Sequence, residues 1–490
     1  MLDPRPLWQT QVPAGPDRSA RPLPDAADLV VVGGGYTGIA AARRAARLGA
    51  RTVVLEAETL GWGASTRNGG MAHPGFKWEL DELLARHGPD LGRRLYDESL
   101  AAFEWTASTI AEEGIEADFA ADGHLELAFA PSHVALLEHT AASLTAAGVP
   151  ARFVPKQRLR EEIGTAAYFG GLLVERSGGL HPARYHAGLT AAAEGAGADL
   201  HERVRALRIR PQADGRSVVE TDRGAILARE VLVATNGYAD GLSPWVRRRV
   251  MSIGSYIIAT EPLPDGLAEA LSPKGRMFFD SKNFLYYWRL TPDGRMLFGG
   301  RVSFWPTSIA ETARRLYEGM IGIHPQLAGR RVEHAWGGRI GFTVDRMPHV
   351  GRVGGVTYAT GCCGTGVAMM PYLGDRVASW LLGGAPAPAL SELRFPLVPA
   401  PYEGRAWFLP LVGEWFRLKD SMAARGLLAA SPTPAADELT PRPDEPVTDE
   451  ELPPAEAAAA ATSPPRGIKR RSAGPAEPEP TEGGRPPAEV

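Results

Sequence analysis

Three glycines and one acid carry the first chemical signal in the chain. Gly33, Gly35 and Gly38 stand in G-x-G-x-x-G spacing, and Glu56 closes the next apolar run, with Ala57 behind it. Gly33 permits a tight turn, Gly35 lets backbone approach a pyrophosphate, and Gly38 lets a helix pack close to a strand. A helix opening at Tyr36 and Thr37 presents N–H groups and a partial positive charge to phosphates. The Glu56 carboxylate accepts hydrogen bonds from a ribose diol and repels a 2′-phosphate, which argues against NADP.

The flanking elements must hold those residues in place. Residues 29–32 form an apolar run that predicts a buried strand, 39–48 an Ala- and Arg-rich helix, and 52–55 a second strand ending on Glu56. A strand-to-helix turn without a ligand would leave the acid unexplained. A second small-residue loop, GWGASTRNGGM, follows at 61–71. There Gly63, Ala64, Ser65, Gly69 and Gly70 leave room for a planar ligand, Arg67 and Asn68 supply donors, and Met71 closes the loop. The plainer alternative for this loop is a flexible glycine-rich turn.

Composition bounds the rest. The 490 residues are 44% apolar and 22% charged, as in a globular protein, and the net charge of −4 gives no reason to expect a nucleic-acid partner. The two cysteines, Cys362 and Cys363, are neighbours. They cannot staple a fold and lack metal-ligand spacing, so neither a disulfide scaffold nor a metal site is expected. The first 27 residues have no signal-peptide pattern, and no run of apolar residues is long enough for a membrane span. A cytoplasmic protein is the expectation.

The two glycine segments resemble the D-amino-acid oxidase and sarcosine oxidase superfamily. They are most similar to its gamma-glutamylputrescine oxidase branch, where GGGYTG and G-x-G-A-S-x-R-N-G-G occur together. Further along the chain, Y-Y-x-R-L followed by L-F-G-G resembles the same branch. From Trp336 to Gly351 the pattern W-x-G-x-x-x-x-T-x-D-x-x-P-x-x-G resembles the superfamily's C-terminal signature. Residues 361–367, GCCGTGV, make another glycine turn before a helix, although many relatives have S-G-H-G where this chain has Cys-Gly-Thr-Gly.

The resemblance spans about residues 25 to 420 and implies a mixed α/β fold. An FAD-binding Rossmann-like domain (28–78, 172–245 and 331–395) would interleave with an antiparallel-sheet substrate domain (79–171 and 246–330). An N-terminal arm (1–27), a docking segment (396–429) and a disordered tail (430–490) would complete the chain. FAD is the implied cofactor. Its contacts would include Val204 at the adenine, Thr235 and Asn236 after the strand EVLVAT, Gly338 and Arg339, and Gly364, Thr365, Gly366 and Val367.

The implied chemistry is amine oxidation by hydride transfer to the flavin, with oxygen reduced to peroxide. Tyr256, Tyr286, Trp288 and Arg289 are candidate substrate contacts, and Tyr287, His73 and Lys282 candidate catalytic groups. Lys282 would take the oxygen-activating role that a lysine has in sarcosine oxidases. Each aromatic of residues 256–288 also reads as an ordinary core residue, Lys282 as a solvent-facing lysine, and His181 as a helix-start hydrogen-bonding residue, while Arg289 and Arg339 are both candidate carboxylate clamps, with a structural partner and a flavin contact as their other readings. Two other functions fit the residues: a dehydrogenase of amino or hydroxy acids with another acceptor, and a non-catalytic flavin-binding module.

Overall fold

Apolar runs and alternating segments sort into two eight-stranded sheets. The computed structural model describes residues 2–239, 241–301, 307–404 and 406–426. The chain forms two units, Met1–Thr440 and Pro441–Val490. The second unit, the expected tail from residue 430 and its basic cluster at 467–471 lie outside the described residues.

The first sheet runs in the order His349–Val353, Val356–Thr360, Gly224–Val233, Ala26–Val32, Thr52–Leu55, Asp199–His201. Along this path all neighbours pair in parallel except the first two, and Ser217–Thr221 and Ala206–Pro211 complete the eight strands as an antiparallel extension of Gly224–Val233. Val30, Val31, Val54 and Leu232 are wholly buried, as expected for parallel strands covered on both faces. Helices Tyr36–Arg47 and Gly366–Gly383 pack against one another. Their close approach needs Gly374, where a Cβ would run into the Thr37 carbonyl oxygen.

The second sheet runs Val332–Phe342, Met251–Pro262, Arg295–Gly300, Tyr286–Leu290, Met277–Asp280, His124–Leu127, Gly170–Val174, Ala151–Pro155. Its pairs are antiparallel except for Met277–Asp280 beside His124–Leu127. Helix Ile309–Ile323 covers one face through Ala313, Leu316 and Met320. The strand Val332–Phe342 and residues 172–174 pair within this sheet. Apolar runs identify a strand but carry no information about its partner.

Two further segments frame the site. The short helix Leu7–Thr10 buries Leu7 and Trp8 among Ile257, Leu297 and Trp336. The helix Leu409–Ala424 is tied to the second sheet's edge loop by Asp420, which accepts from the backbone N–H groups of Asn283 and Phe284 at 3.0 and 3.2 Å. Among the described residues no helix is long and apolar enough to cross a membrane, and no His, Cys, Asp and Glu group could hold a metal ion.

Candidate active site

Steric necessity builds the first glycine turn. Gly33 adopts φ 110°, which side chains disfavour, and a Cβ there would sit 2.8 Å from the Ala234 carbonyl oxygen. A Cβ on Gly38 would run into the Gly33 carbonyl oxygen. Gly35 occupies the N-cap of Tyr36–Arg47, and Ser65 Oγ accepts from the Tyr36 N–H at 2.9 Å, which ties the turn to the second loop. Thr37 is buried behind it.

Glu56 accepts from the Gly34 N–H at 2.8 Å and from the Glu58 N–H at 2.9 Å, and burial pushes its carboxyl above the usual range. The Val204 N–H donates to the Glu56 carbonyl at 2.9 Å, which brings Val204 beside Glu56 and Ala57. A side-chain-free helix N-terminus with a buried acid at its side fits an adenine dinucleotide.

The second loop folds on its own polar groups. Asn68 Nδ2 donates to the Ala64 and Ser65 carbonyls at 3.0 and 2.9 Å, and its Oδ1 accepts from the Gly70 N–H at 2.8 Å. Arg67 Nε donates to the Trp62 carbonyl at 2.7 Å. The indoles of Trp8 and Trp336 donate to the Asn68 and Arg67 carbonyls at 2.8 and 3.0 Å. Arg67 and Asn68, expected as ligand donors, thus shape the loop through these bonds. Gly63 lies under the Tyr238 ring and Gly69 under the Tyr287 ring, so a Cβ would come within 3.2 and 3.0 Å of them. Met71 pairs with Gly179, Gly338 approaches the Arg67 stem, and the Arg339 N–H donates to the Tyr238 hydroxyl at 3.2 Å.

Asn236, which follows Thr235, joins the C-terminal ends of two neighbouring parallel strands, Gly224–Val233 and Val356–Thr360. Its Oδ1 accepts from the N–H groups of Gly361 and Cys362 at 3.1 and 3.2 Å. Thr365 closes that turn through its hydroxyl, which donates to the Cys362 carbonyl at 3.1 Å, and the helix begins at Gly366 with Val367 buried. A Cβ on Gly364 would sit 3.9 Å from Lys77 Nζ. Burial pushes the Cys363 thiol up to about 12, where it stays protonated at neutral pH and is no nucleophile.

The second sheet contributes a row of side chains. Backbone register places Glu126 beside Phe279, Phe279 beside Tyr287, and Tyr287 beside Gly299. Alternation puts the side chains of this row on one face, the face that meets the glycine loop. A Cβ on Gly299 would run into the Tyr287 ring, and the Tyr287 hydroxyl lies 3.2 Å from Ser255 Oγ. His73 packs its ring 5.7 Å from His124, which stacks on Phe279 at 5.0 Å. Burial drives both imidazoles down, to about 4 and about 3, so they are neutral at pH 7.

Several expected contacts lie elsewhere, and the same alternation explains why. Tyr286 and Trp288 face the helix side, where Trp288 is wholly buried among Phe278, Phe298 and Tyr168. Tyr286 lies against Gly319 of that helix, and Tyr256 packs on the same cluster. Lys282 is ion-paired with buried Asp280 at 2.9 Å on that side. Arg289 does face the glycine loop, but its guanidinium donates to the Leu180 carbonyl at 2.6 Å and lies 5.4 Å over Trp8, so it holds backbone and arm together. His181 caps helix Pro182–Gly195, with its ring nitrogen accepting from the Arg184 N–H.

Sequence reasoning missed Lys77, Glu126 and Arg301. Lys77 follows the second loop. Burial lowers its ammonium pKa, with a further lowering from Arg301 and opposite pulls from Glu126 and Cys363. Burial likewise lowers Arg301, against the favourable pull of Tyr287 and Cys363. Burial raises Glu126 to about 7, against the stabilising pull of Lys77. The available signal was an acid at a core-facing position of an alternating strand, HLEL. The open recesses at Arg160, Thr165 and Gln326 and at Asp3, Arg331 and His334 lie away from these turns.

Comparison with known proteins agrees with this geometry. The model of the family described as DAO, FAD dependent oxidoreductase, matches residues 28–380. A probable oxidoreductase OrdL of Rhizobium meliloti is 33% identical over 84% of this chain and 96% of its own length. The gamma-glutamylputrescine oxidoreductase of Escherichia coli is 31% identical over 73% of this chain and 84% of its own. Among solved structures, glycine oxidase from Geobacillus kaustophilus superposes with a TM-score of 0.63 at 22% identity, over 78% of this chain and 99% of that one.

Proposed function

The chain belongs to the DAO family of FAD-dependent oxidoreductases and acts on amines or amino acids, and from that premise we propose that its substrate is a primary or secondary amine of the gamma-glutamylputrescine or N-methyl amino acid type, with molecular oxygen as the final acceptor. One observation carries the reading. Lys77 and Arg301 lie beside the Cys362–Gly366 turn, and Glu126 and Tyr287 stand on the sheet face that meets the glycine loop, within electrostatic reach of Lys77 and Arg301 respectively.

The chain's own residues do the following. Gly33 to Gly38 and Glu56 would hold the adenosine and pyrophosphate end of FAD, and Val204 would border it. Ser65 to Met71, Gly338, Arg339 and the 361–366 turn would hold the ring end, where the N-terminus of Gly366–Gly383 would favour negative charge. Bound FAD supplies a hydride acceptor for the C–H bond next to nitrogen. Phe279 and Tyr287 exclude water from that bond. A free alkylamine has a pKa of about 10, so the pocket has to favour its neutral form. Arg301 and Lys77 are the cations available to a carboxylate on the substrate. Lys77, in place of Lys282, is the cation beside the turn. The cytoplasm is the compartment we assign to this activity.

The test is anaerobic mixing of the yellow protein with gamma-glutamylputrescine, N-methyl amino acids and D-amino acids, followed by air. Bleaching by an amine and fast reoxidation with stoichiometric peroxide are expected. Bleaching with sluggish reoxidation would assign a dehydrogenase instead, and a flavin that no amine bleaches would reject the reading.

A further inference from the structure

Glu126 is a half-buried carboxyl that makes no hydrogen bond or close ion pair with another described residue. It sits on the strand His124–Leu127, between Leu172 and Phe279 in register, with Tyr287 one strand further on. Strands are about 4.8 Å apart, so the Glu126 and Tyr287 positions are separated by about 10 Å across the face. A small amine fits that span. No hydrogen bond or ion pair within 4 Å joins the Glu126 carboxyl, the Lys77 ammonium or the Arg301 guanidinium to another described residue. All three residues are half-buried and keep hydrogen-bonding capacity that a ligand at this face can take up.

The titratable groups around Glu126 come from each neighbouring element. Lys77 and Glu79 approach from the segment after the second loop, His124 shares the strand, His73 packs on His124, and Asp280 lies on the neighbouring strand. The two histidines are neutral. Lys77 therefore supplies the nearby positive charge that stabilises a Glu126 carboxylate, and Asp280 opposes it.

We propose that Glu126 is the proton acceptor that converts the substrate ammonium into the reactive amine. In this step one N–H bond of the ammonium breaks, one O–H bond forms on Glu126, and the nitrogen keeps the electron pair. The products are a neutral amine and a neutral carboxyl group. Lys77 is a positioning residue that keeps the waiting carboxylate ionised. The proposal rests on the amine reading above. A carboxyl titrating at about 7 is matched to this task at neutral pH.

The experiment is anaerobic stopped-flow bleaching of the FAD-loaded protein by its fastest amine between pH 5.5 and 10. In the wild type, the second-order rate constant should rise through a limb near pH 7 as Glu126 deprotonates, then flatten. Glu126→Gln should lose the limb and about 10²–10⁴-fold of the rate at pH 7. Its rate should climb instead toward the amine's own pKa of about 10. Glu126→Asp should restore part of the rate, and Lys77→Met should move the limb up by about one pH unit or more.

A second readout needs no turnover. tert-Butylamine has no C–H bond next to nitrogen, so it binds without being oxidised. Its effect on the flavin spectrum should follow the pH 7 limb in the wild type and not in Glu126→Gln. A Gln variant with the wild-type rate and limb overturns the assignment while leaving the amine reading intact. Should the Gln variant fail to take up FAD, an unmoved limb in Lys77→Met overturns it equally. A wild-type flavin that no amine bleaches overturns the amine reading together with this proposal.

Discussion

The antiparallel sheet has two faces built from the same strands, and they treat charge in opposite ways. On the face under helix Ile309–Ile323, Tyr286, Trp288, Phe278 and Phe298 pack a dry core, and buried Asp280 is matched by Lys282 at 2.9 Å. On the face toward the glycine loop, beside Tyr287, Phe279 and Gly299, Lys77 and Glu126 make no hydrogen bond or close ion pair among the described residues, and Arg301 lies over the Phe342 ring at 4.6 Å. Tyr286, Tyr287 and Trp288 are consecutive, so neighbours in sequence serve packing and chemistry by turns. What separates the faces is whether a buried charge has been neutralised within the fold.

The most forceful way to break this comparison is to remove Trp288. Its indole is wholly buried and touches Tyr168, Phe278 and Phe298. Trp288→Ala should cost about 3–5 kcal/mol of stability, read from the urea midpoint of the FAD-loaded protein. The folded fraction should still be bleached by amine at the wild-type rate. A stable variant with a lost rate would return Trp288 to the substrate pocket.

The two lysines sharpen the contrast next. Lys282→Met leaves the fully buried Asp280 unpaired and should cost about 3 kcal/mol, with little change in the rates of bleaching and reoxidation. Lys77→Met removes a cation that has no ion-pair partner and should shift kinetics while stability moves by less than about 1 kcal/mol. The reverse pattern would mean that Lys282, as first expected, faces the flavin.

Much of this architecture was legible in the chain, and the limits have physical causes. Glycine spacing, two apolar runs and Glu56 located the dinucleotide turn because each residue type there answers a local steric or hydrogen-bonding demand. Period two also showed that residues 286–290 alternate, but the sign of the alternation depends on which layer packs on which face, and that is a tertiary fact. Arg289 looked like a carboxylate clamp for the same reason, since its Leu180 partner is remote in sequence. Lys77 carried no motif, because its place beside Gly364 is created by folding.

Acid separates the faces by a smaller amount. His324, under Trp288, has two buried ring nitrogens without a partner, and burial drives its pKa down to about 4. A histidine depressed below its unfolded value of about 6.5 contributes stability that is present above that pH and lost as pH falls toward the folded value. Between pH 6.5 and 5 this amounts to about 2 kcal/mol. His324→Leu should flatten the fall in urea midpoint over that interval. His73 and His124 remain on the other face, so the residual loss should coincide with release of flavin. A slope unchanged by the substitution would show that His324 is not held neutral.

The finest comparison is one hydroxyl on each face. The Tyr287 hydroxyl lies 3.2 Å from Ser255 Oγ and near Arg301, and burial pushes it up to about 12, so it stays a donor throughout the working range. Tyr287→Phe should cost at most about 1 kcal/mol of stability. It should also slow amine bleaching up to about tenfold, since one hydrogen bond of about 1.4 kcal/mol at the transition state is worth that factor. Tyr286→Phe removes the neighbouring hydroxyl beside Gly319 and should leave the rate unchanged. Equal rate losses in the two variants would mean that the substrate reaches both sides of one strand, which the pleat forbids, and the two-face description would fail with them.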